Sequence, residues 1–184
     1  VLDQLEARFD YPMFVKPARA GSSVGVSKVY DSGSFAGAVT KALREDSKIL
    51  VEEAIKGREI EVAVLEENGK YTVAHAAEID KGGADFYDYE TKYISDVSSY
   101  YLPARITDEE MKTVRENALT IFKTLDCRGL SRVDFFITDG GELVFNEINT
   151  LPGFTPISMY PKMMINEGIS YKEVITRLIE SALR

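Results

Sequence analysis

Apolar residues recur with a period of two over several short stretches of the chain and with helical spacing over three longer ones. Residues 13–16, 26–29, 49–53, 60–65 and 71–79 alternate or run apolar in the manner of strands. Pro17 closes the first of these, and Asn68-Gly69 predicts a tight hairpin turn between the last two. Phe35, Val39, Ala42 and Leu43 lie on one helical face. Met111, Val114, Ala118, Ile121, Phe122 and Leu125 form the stripe of a second helix, opened by the capping box Thr107-Asp-Glu-Glu110 and ending near Gly129. A second capping box, Ser170-Tyr-Lys-Glu173, opens a closing helix marked by Val174, Ile175, Leu178 and Ala182. Residues 150–161, with Gly153 and three prolines, read as a loop. The mixture predicts an α+β fold with antiparallel sheets and packed helices.

The strongest pattern is Leu130-Ser-Arg-Val-Asp-Phe-Phe-Ile, then Thr138-Asp-Gly-Gly, then Glu142-Leu-Val-Phe-Asn-Glu-Ile-Asn149. It predicts a β-hairpin about the Asp-Gly-Gly turn. If Thr138 pairs with Gly141, Arg132 falls opposite Glu147 and Asp134 opposite Phe145. Arg132, Asp134, Glu147 and Asn149 then project from one face, in company with Phe136, Leu143 and Phe145. Val133, Phe135, Ile137, Val144 and Ile148 take the other face. A fully solvated face would not carry those aromatics. Oxygen ligands beside an arginine suit Mg²⁺ carrying a phosphate chain.

Length allows one domain or two small ones with a real core. The formal net charge of -8 argues against a nucleic-acid-binding surface, yet basic residues gathered at one site could still bind a polyphosphate. The single Cys127 excludes a disulfide framework and points to a reducing compartment, with the thiol itself structural. No apolar run is long enough for a membrane span, and no signal peptide is visible. The chain does not start with Met and runs quickly into a strand, as expected of a piece of a larger protein.

Four other stretches carry candidate chemistry. Ala20-Gly-Ser-Ser-Val-Gly25 joins strand to strand, as either an ordinary turn or a cradle of N–H and hydroxyl donors for phosphate. Lys16 just before it is either an edge lysine in water or a cation awaiting an anion. Val51-Glu52-Glu53-Ala54-Ile55, with Glu59 beyond Gly57, is either a charged strand end or a slot for adenine and ribose. Residues 81–101 have no sustained period but hold five tyrosines, and with Lys92 and Tyr93 they read as a lid. His75 has alternating apolar neighbours and reads as a strand histidine satisfied by its surroundings.

Taken in order, Val15-Lys-Pro-Ala-Arg-Ala-Gly-Ser-Ser-Val-Gly25, Phe86-Tyr-Asp-Tyr-Glu-Thr-Lys-Tyr93, Gly129-Leu-Ser-Arg-Val-Asp134 and Asn146-Glu-Ile-Asn-Thr-Leu-Pro-Gly-Phe-Thr155 closely resemble the D-alanine–D-alanine ligases, ATP-grasp enzymes of bacterial cell-wall synthesis. The resemblance runs from about Tyr11 to the C-terminus. It implies an ATP-grasp fold: part of the small central lobe at 1–57, and the C-terminal lobe at 58–184 with a lid at about 81–101. It implies that Lys16, Gly21 and Ser23 serve the ATP phosphates. Glu52 and the Ala54 and Ile55 backbone would hold adenine, and Glu59 the ribose. Lys92 would reach the transferred phosphate. Asp134, Glu147 and Asn149 would ligate two Mg²⁺ ions, with Mn²⁺ as a substitute. Arg132 and the Gly153 N–H would face the oxyanion, Ser22 and Tyr93 would link loop to lid, and Ser158 and Met159 would meet the second D-alanine. The implied parent is a cytoplasmic homodimer acting on ATP and D-alanine, without nucleic acid or membrane. The family's N-terminal domain and the front of its small lobe are missing from this sequence, so the chain alone is expected to be inactive. Relatives that use D-lactate or D-serine share most of these motifs. Tyr93 and Met159 favour the ordinary dipeptide ligase over them. A nucleotide-binding module without activity is the further alternative.

Overall fold

The computed structural model describes residues 1–80 and 99–183. The chain divides into two compact units, one formed by residues 1–55 and the other by Lys56–Asp80 with Tyr100 onward.

The first unit begins with a short helix, α1 (Leu2–Glu6), which the sequence pattern did not announce. Its sheet has the antiparallel order β2-β1-β3, from β1 (Met13–Pro17), β2 (Ser27–Val29) and β3 (Ile49–Glu53). Helix α2 (Ser32–Leu43) is capped by Asp31, whose Oδ1 accepts the Ser34 N–H at 2.9 Å. Its Ala38 and Ala42 pack on Val15 and Val29, with Phe35, Val39, Ile49 and Val51 around them. Period two then sends Phe14, Lys16, Lys28, Leu50 and Glu52 to the face opposite α2.

In the second unit one long strand, β4 (Gly57–Glu67), organises the sheet. One edge pairs with β8 (Leu130–Thr138) along its length. The other edge is shared by β5 (Lys70–Val73) and β6 (Ala77–Asp80). The stretch 71–79 is therefore two strands, not one. The chain steps at residues 74–76, where the His75 N–H leaves the ladder and donates to Glu167 Oε1 at 2.8 Å. His75 thus sits in this step instead of a strand, and its Nδ1 meets the same oxygen at 2.6 Å. Strands β7 (Ser99–Tyr101) and β9 (Leu143–Asn149) complete the order β7-β6-β4-β8-β9. The last three residues of the irregular stretch expected at 81–101 are thus strand. The Asn68-Gly69 hairpin is present, with φ of 53° and 76°.

Helix α3 (Asp108–Thr124) has the full Thr107–Glu110 capping box and covers one sheet face through Val114, Ala118 and Phe122. Ile60, Val62, Val64, Val133, Phe135 and Ile137 lie beneath it. Leu125 lies past the helix end and is exposed, outside the stripe expected to include it. On the other face, α4 (Met159–Asn166) and α5 (Tyr171–Ala182) bury Ala63, Leu65, Ala74 and Ala77 under Tyr160, Met163, Met164 and Val174. Helix α4 begins inside the expected loop. Pro161 is its third residue, where no intrahelical N–H bond is lost. Only half of the second capping box forms: Ser170 Oγ accepts the Glu173 N–H, while the Glu173 carboxylate binds Arg177. Ile175 is partly exposed, not core.

Candidate functional site

Along β4 the sequence Glu59-Ile60-Glu61-Val62-Ala63-Val64-Leu65 alternates, so both acids share a face with Ala63 and Leu65. Helices α4 and α5 cover that face at Ala63 and Leu65. Beyond them the same face carries Glu61, and across the register Arg132, Asp134, Glu147 and Asn149.

The hairpin brings these residues together by a route that differs from the expected one. Gly141 N–H bonds Thr138 O at 2.9 Å, and Thr138 N–H bonds Glu142 O at 2.9 Å. Thr138 therefore faces Glu142, and Gly141 is an extra residue at φ 82°. This first offset sets Ile137 opposite Leu143 and Phe135 opposite Phe145. Leu143 and Phe145 consequently stand with Phe135 and Ile137, not with Phe136 as expected, and Val144 stands with Phe136. A second irregularity follows between Asp134 and Phe135, where the partner jumps from Phe145 to Glu147. Beyond it Asp134 lies opposite Glu147, and Arg132 opposite Asn149. The expected pairs, Arg132 with Glu147 and Asp134 with Phe145, are replaced, but the two offsets cancel in parity. All four polar side chains share one face.

Arg132 grips Asp134 in a fork, Nε to Oδ1 at 2.8 Å and Nη2 to Oδ2 at 2.7 Å. Asp134 is only 8% exposed. Glu61, which the sequence reading did not single out, stands next to Asp134 in the register and places Oε1 at 3.4 Å from Arg132 Nε. Burial alone would make the guanidinium easier to deprotonate; Glu61, Asp134 and Glu147 outweigh it and raise its pKa further. Three carboxylates thus face one guanidinium in a single row across β4, β8 and β9. Two interstrand spacings separate Glu61 from Glu147, about 10 Å. Among the described residues no three of His, Cys, Asp and Glu close into a metal cage. Asp134 and Glu147 stand directly opposite each other in the register, and two residues on Asn149 presents an amide oxygen that accepts the Leu151 N–H at 3.1 Å. Like charges facing across a pair of strands are unfavourable unless a cation joins them. These oxygen donors and their surplus negative charge fit a divalent hard ion.

Gly153, Ser158 and Met159 lie at the entry to α4. A Cβ on Gly153 would come within 2.8 Å of Ser158 Oγ. That hydroxyl accepts the Thr155 N–H at 3.0 Å and closes the turn before the helix. Met159 is the first residue of α4 and packs on its core. Glu59 lies in β4, between Ile79 and Phe136 in the register.

In the first unit Lys16 Nζ pairs with Glu52 at 2.7 Å on the face opposite α2. The anion that Lys16 needs is thus supplied by the residue expected to serve adenine. Ala54 and Ile55 follow β3, half-buried. The loop bearing Gly21, Ser22 and Ser23 is fixed at both ends. Arg19 forks onto Asp46 at 3.0 and 2.7 Å, and Lys41 Nζ donates to Val26 O at 2.9 Å. Between these anchors Ser22 and Ser23 adopt φ of 55° and 58°. Gly25, at φ 74°, packs so tightly that a Cβ would approach Glu45 Cγ to 2.8 Å. Neither anchor was singled out in the sequence. Lys92 and Tyr93, and most of the segment read as a lid, lie outside the described residues.

The two antiparallel sheets with their packed helices form an ATP-grasp fold, shared with solved structures of D-alanine ligases. A family model described as the D-ala D-ala ligase C-terminus matches residues 1–180. The chain belongs to this family. It is 49% identical over 178 residues to the D-alanine–D-alanine ligase of Chlorobium luteolum, covering 96% of this chain and 49% of that protein. Against the D-alanine–D-alanine ligase of Acetivibrio thermocellus identity is 48% over 185 residues, covering 100% of this chain and 49% of that one. Among solved structures, VanG D-Ala:D-Ser ligase from Enterococcus faecalis superposes with a TM-score of 0.85 at 44% identity, covering 97% of this chain and 52% of that one. The D-alanine-D-alanine ligase from Coxiella burnetii does so at 0.82 and 35%, covering 98% and 47%. The chain spans about half the length of the curated relatives it matches.

Proposed function

We propose that this chain is the ATP- and metal-binding part of a D-alanine–D-alanine ligase, joining two D-alanines through an acyl phosphate for peptidoglycan precursors. The observation that carries the reading is the Arg132–Asp134 fork in register with Glu147 and Asn149, in a member of this family.

Lys16, with the Gly21, Ser22 and Ser23 loop, offers cationic and N–H donors to the ATP phosphates, and Lys92 adds a second cation at the transferred group. Glu52 and the Ala54–Ile55 backbone receive adenine, and Glu59 the ribose. Asp134, Glu147 and Asn149 would hold two Mg²⁺ ions, or Mn²⁺ in their place. When bound, the metal neutralises charge that builds on the phosphate oxygens. A carboxylate oxygen of the first D-alanine attacks the γ-phosphorus, and ADP leaves. The amine of the second attacks the acyl carbon, and phosphate leaves with that oxygen. Arg132 and the Gly153 N–H face the oxyanion formed between these events. Ser158 and Met159 place the second D-alanine, and Ser22 with Tyr93 links loop to lid.

The test is phosphate release by the full-length protein with ATP and D-alanine, compared with D-serine or D-lactate as second substrate. D-alanine-dependent release, strongest with D-alanine as acceptor, is expected. Nucleotide binding without release under any pairing would make the protein a binding module instead. Preference for another acceptor would place it with the D-serine or D-lactate relatives.

A further inference from the structure

The functional reading leaves Asp134 with two claims on it. Arg132 donates to each of its oxygens, which leaves one lone pair on each for a metal ion. A metal ion there would draw charge from those oxygens and loosen the fork, so a second anion would help keep the guanidinium in place. Glu61 is placed for this. Its Oε1 is 3.4 Å from the same Nε that Asp134 Oδ1 binds at 2.8 Å. It reaches that nitrogen from β4, the strand on the far side of β8 from Glu147. Both Glu61 and Arg132 are largely buried, with side chains 14% and 19% exposed. Low dielectric therefore strengthens the attraction. Nη1 makes no hydrogen bond to a described residue. An arginine held along its Nε edge keeps that nitrogen for an anion.

We infer that Glu61 is a positioning residue: it shares Arg132 Nε with Asp134 and holds the guanidinium in place when a metal draws on the Asp134 oxygens, and so lowers the cost of loading Mg²⁺ at Asp134 and Glu147. This inference rests on the metal reading proposed above. It differs from a packing role, because a packing role would not act on metal affinity in particular.

The experiment titrates Mn²⁺ into the full-length protein saturated with a non-hydrolysable ATP analogue, reading free Mn²⁺ by its paramagnetic resonance signal. Glu61→Gln keeps the shape and removes the charge. It should weaken Mn²⁺ binding roughly tenfold or more, the range for partners that orient a metal ligand. Analogue binding without metal should stay unchanged. Glu61→Asp, retaining the charge, should recover part of the loss. Asp134→Asn is the control for the underlying reading and should weaken Mn²⁺ binding at least as much. If Asp134→Asn weakens binding and Glu61→Gln does not, the role of Glu61 is overturned while the metal site stands. If neither does, the metal reading falls and the inference with it. Equal loss in Glu61→Gln and Glu61→Asp also overturns it, since charge would then not be what matters.

Discussion

Asp134 stands directly opposite Glu147 across β8 and β9, at the point where the pairing skips one residue. The opposition of two acids exists because Gly141 and the later irregularity each add one residue to the returning strand. Gly141 holds φ 82°, a conformation costly for any residue with a Cβ. Gly141→Val is expected to destabilise the protein by about 1–2 kcal/mol, read by chemical denaturation. Unchanged stability would mean that the turn relaxes to another type without strain.

Arg132→Lys retains charge but loses the planar fork onto Asp134. The catalysed rate should fall roughly 10²-fold or more, in the range for losing one oxyanion donor, with nucleotide affinity near normal. Rate and nucleotide dissociation constant measured on the same preparation separate these. Equal loss in both would assign Arg132 to nucleotide binding.

Glu78 is a structural counterpart away from this face. It is 2% exposed and accepts from Arg105 N at 3.1 Å, Nε at 3.3 Å and Nη2 at 2.7 Å. Glu78→Gln is expected to cost about 2–3 kcal/mol, since charge-assisted bonds at a buried carboxylate are lost. Denaturant titration would show it. A change under about 0.5 kcal/mol, the size of an ordinary surface effect, would contradict it.

Acid should unfold the protein through three carboxylates whose pKa values are lowered. The Arg19 fork lowers that of Asp46, with the Lys48 N–H assisting. The Thr107 N–H and hydroxyl lower that of Glu110. Glu167 is raised by burial, but the His75 N–H and ring outweigh this and leave it lowered. Each group titrates lower folded than unfolded, so its contribution is complete above the unfolded carboxylate range and is lost as pH falls through the folded value. Melting temperature should therefore decline from about pH 5 downward. Asp46→Asn should flatten that decline. The same slope in both proteins would show that Asp46 does not contribute.

Much of the site was legible because period two is a local property. Arg132, Asp134, Glu147 and Asn149 could be assigned one face from the hairpin alone. The pairing within that face could not, because nothing about Asn146 marks it as the skipped residue. Glu61 was visible as half of a Glu-Ile-Glu-Val alternation, but its meaning depends on β4 lying beside β8, a contact between residues far apart in sequence. The Lys16–Glu52 pair is hidden in the sequence for the same reason: only the β1–β3 register brings the two residues together. Helix α4 was hidden by Pro161, a residue compatible with a first turn but indistinguishable from loop punctuation in the sequence.

The most direct measurement follows the oxygen. Full-length protein is incubated with ATP, Mg²⁺ and D-alanine carrying ¹⁸O in its carboxylate, and the phosphate released is analysed by mass. Ligation through an acyl phosphate moves one carboxylate oxygen into phosphate for each dipeptide formed, so label should appear in phosphate in step with D-alanyl-D-alanine. Dipeptide formed with unlabelled phosphate, or phosphate released at the same rate without D-alanine, would contradict the proposed chemistry.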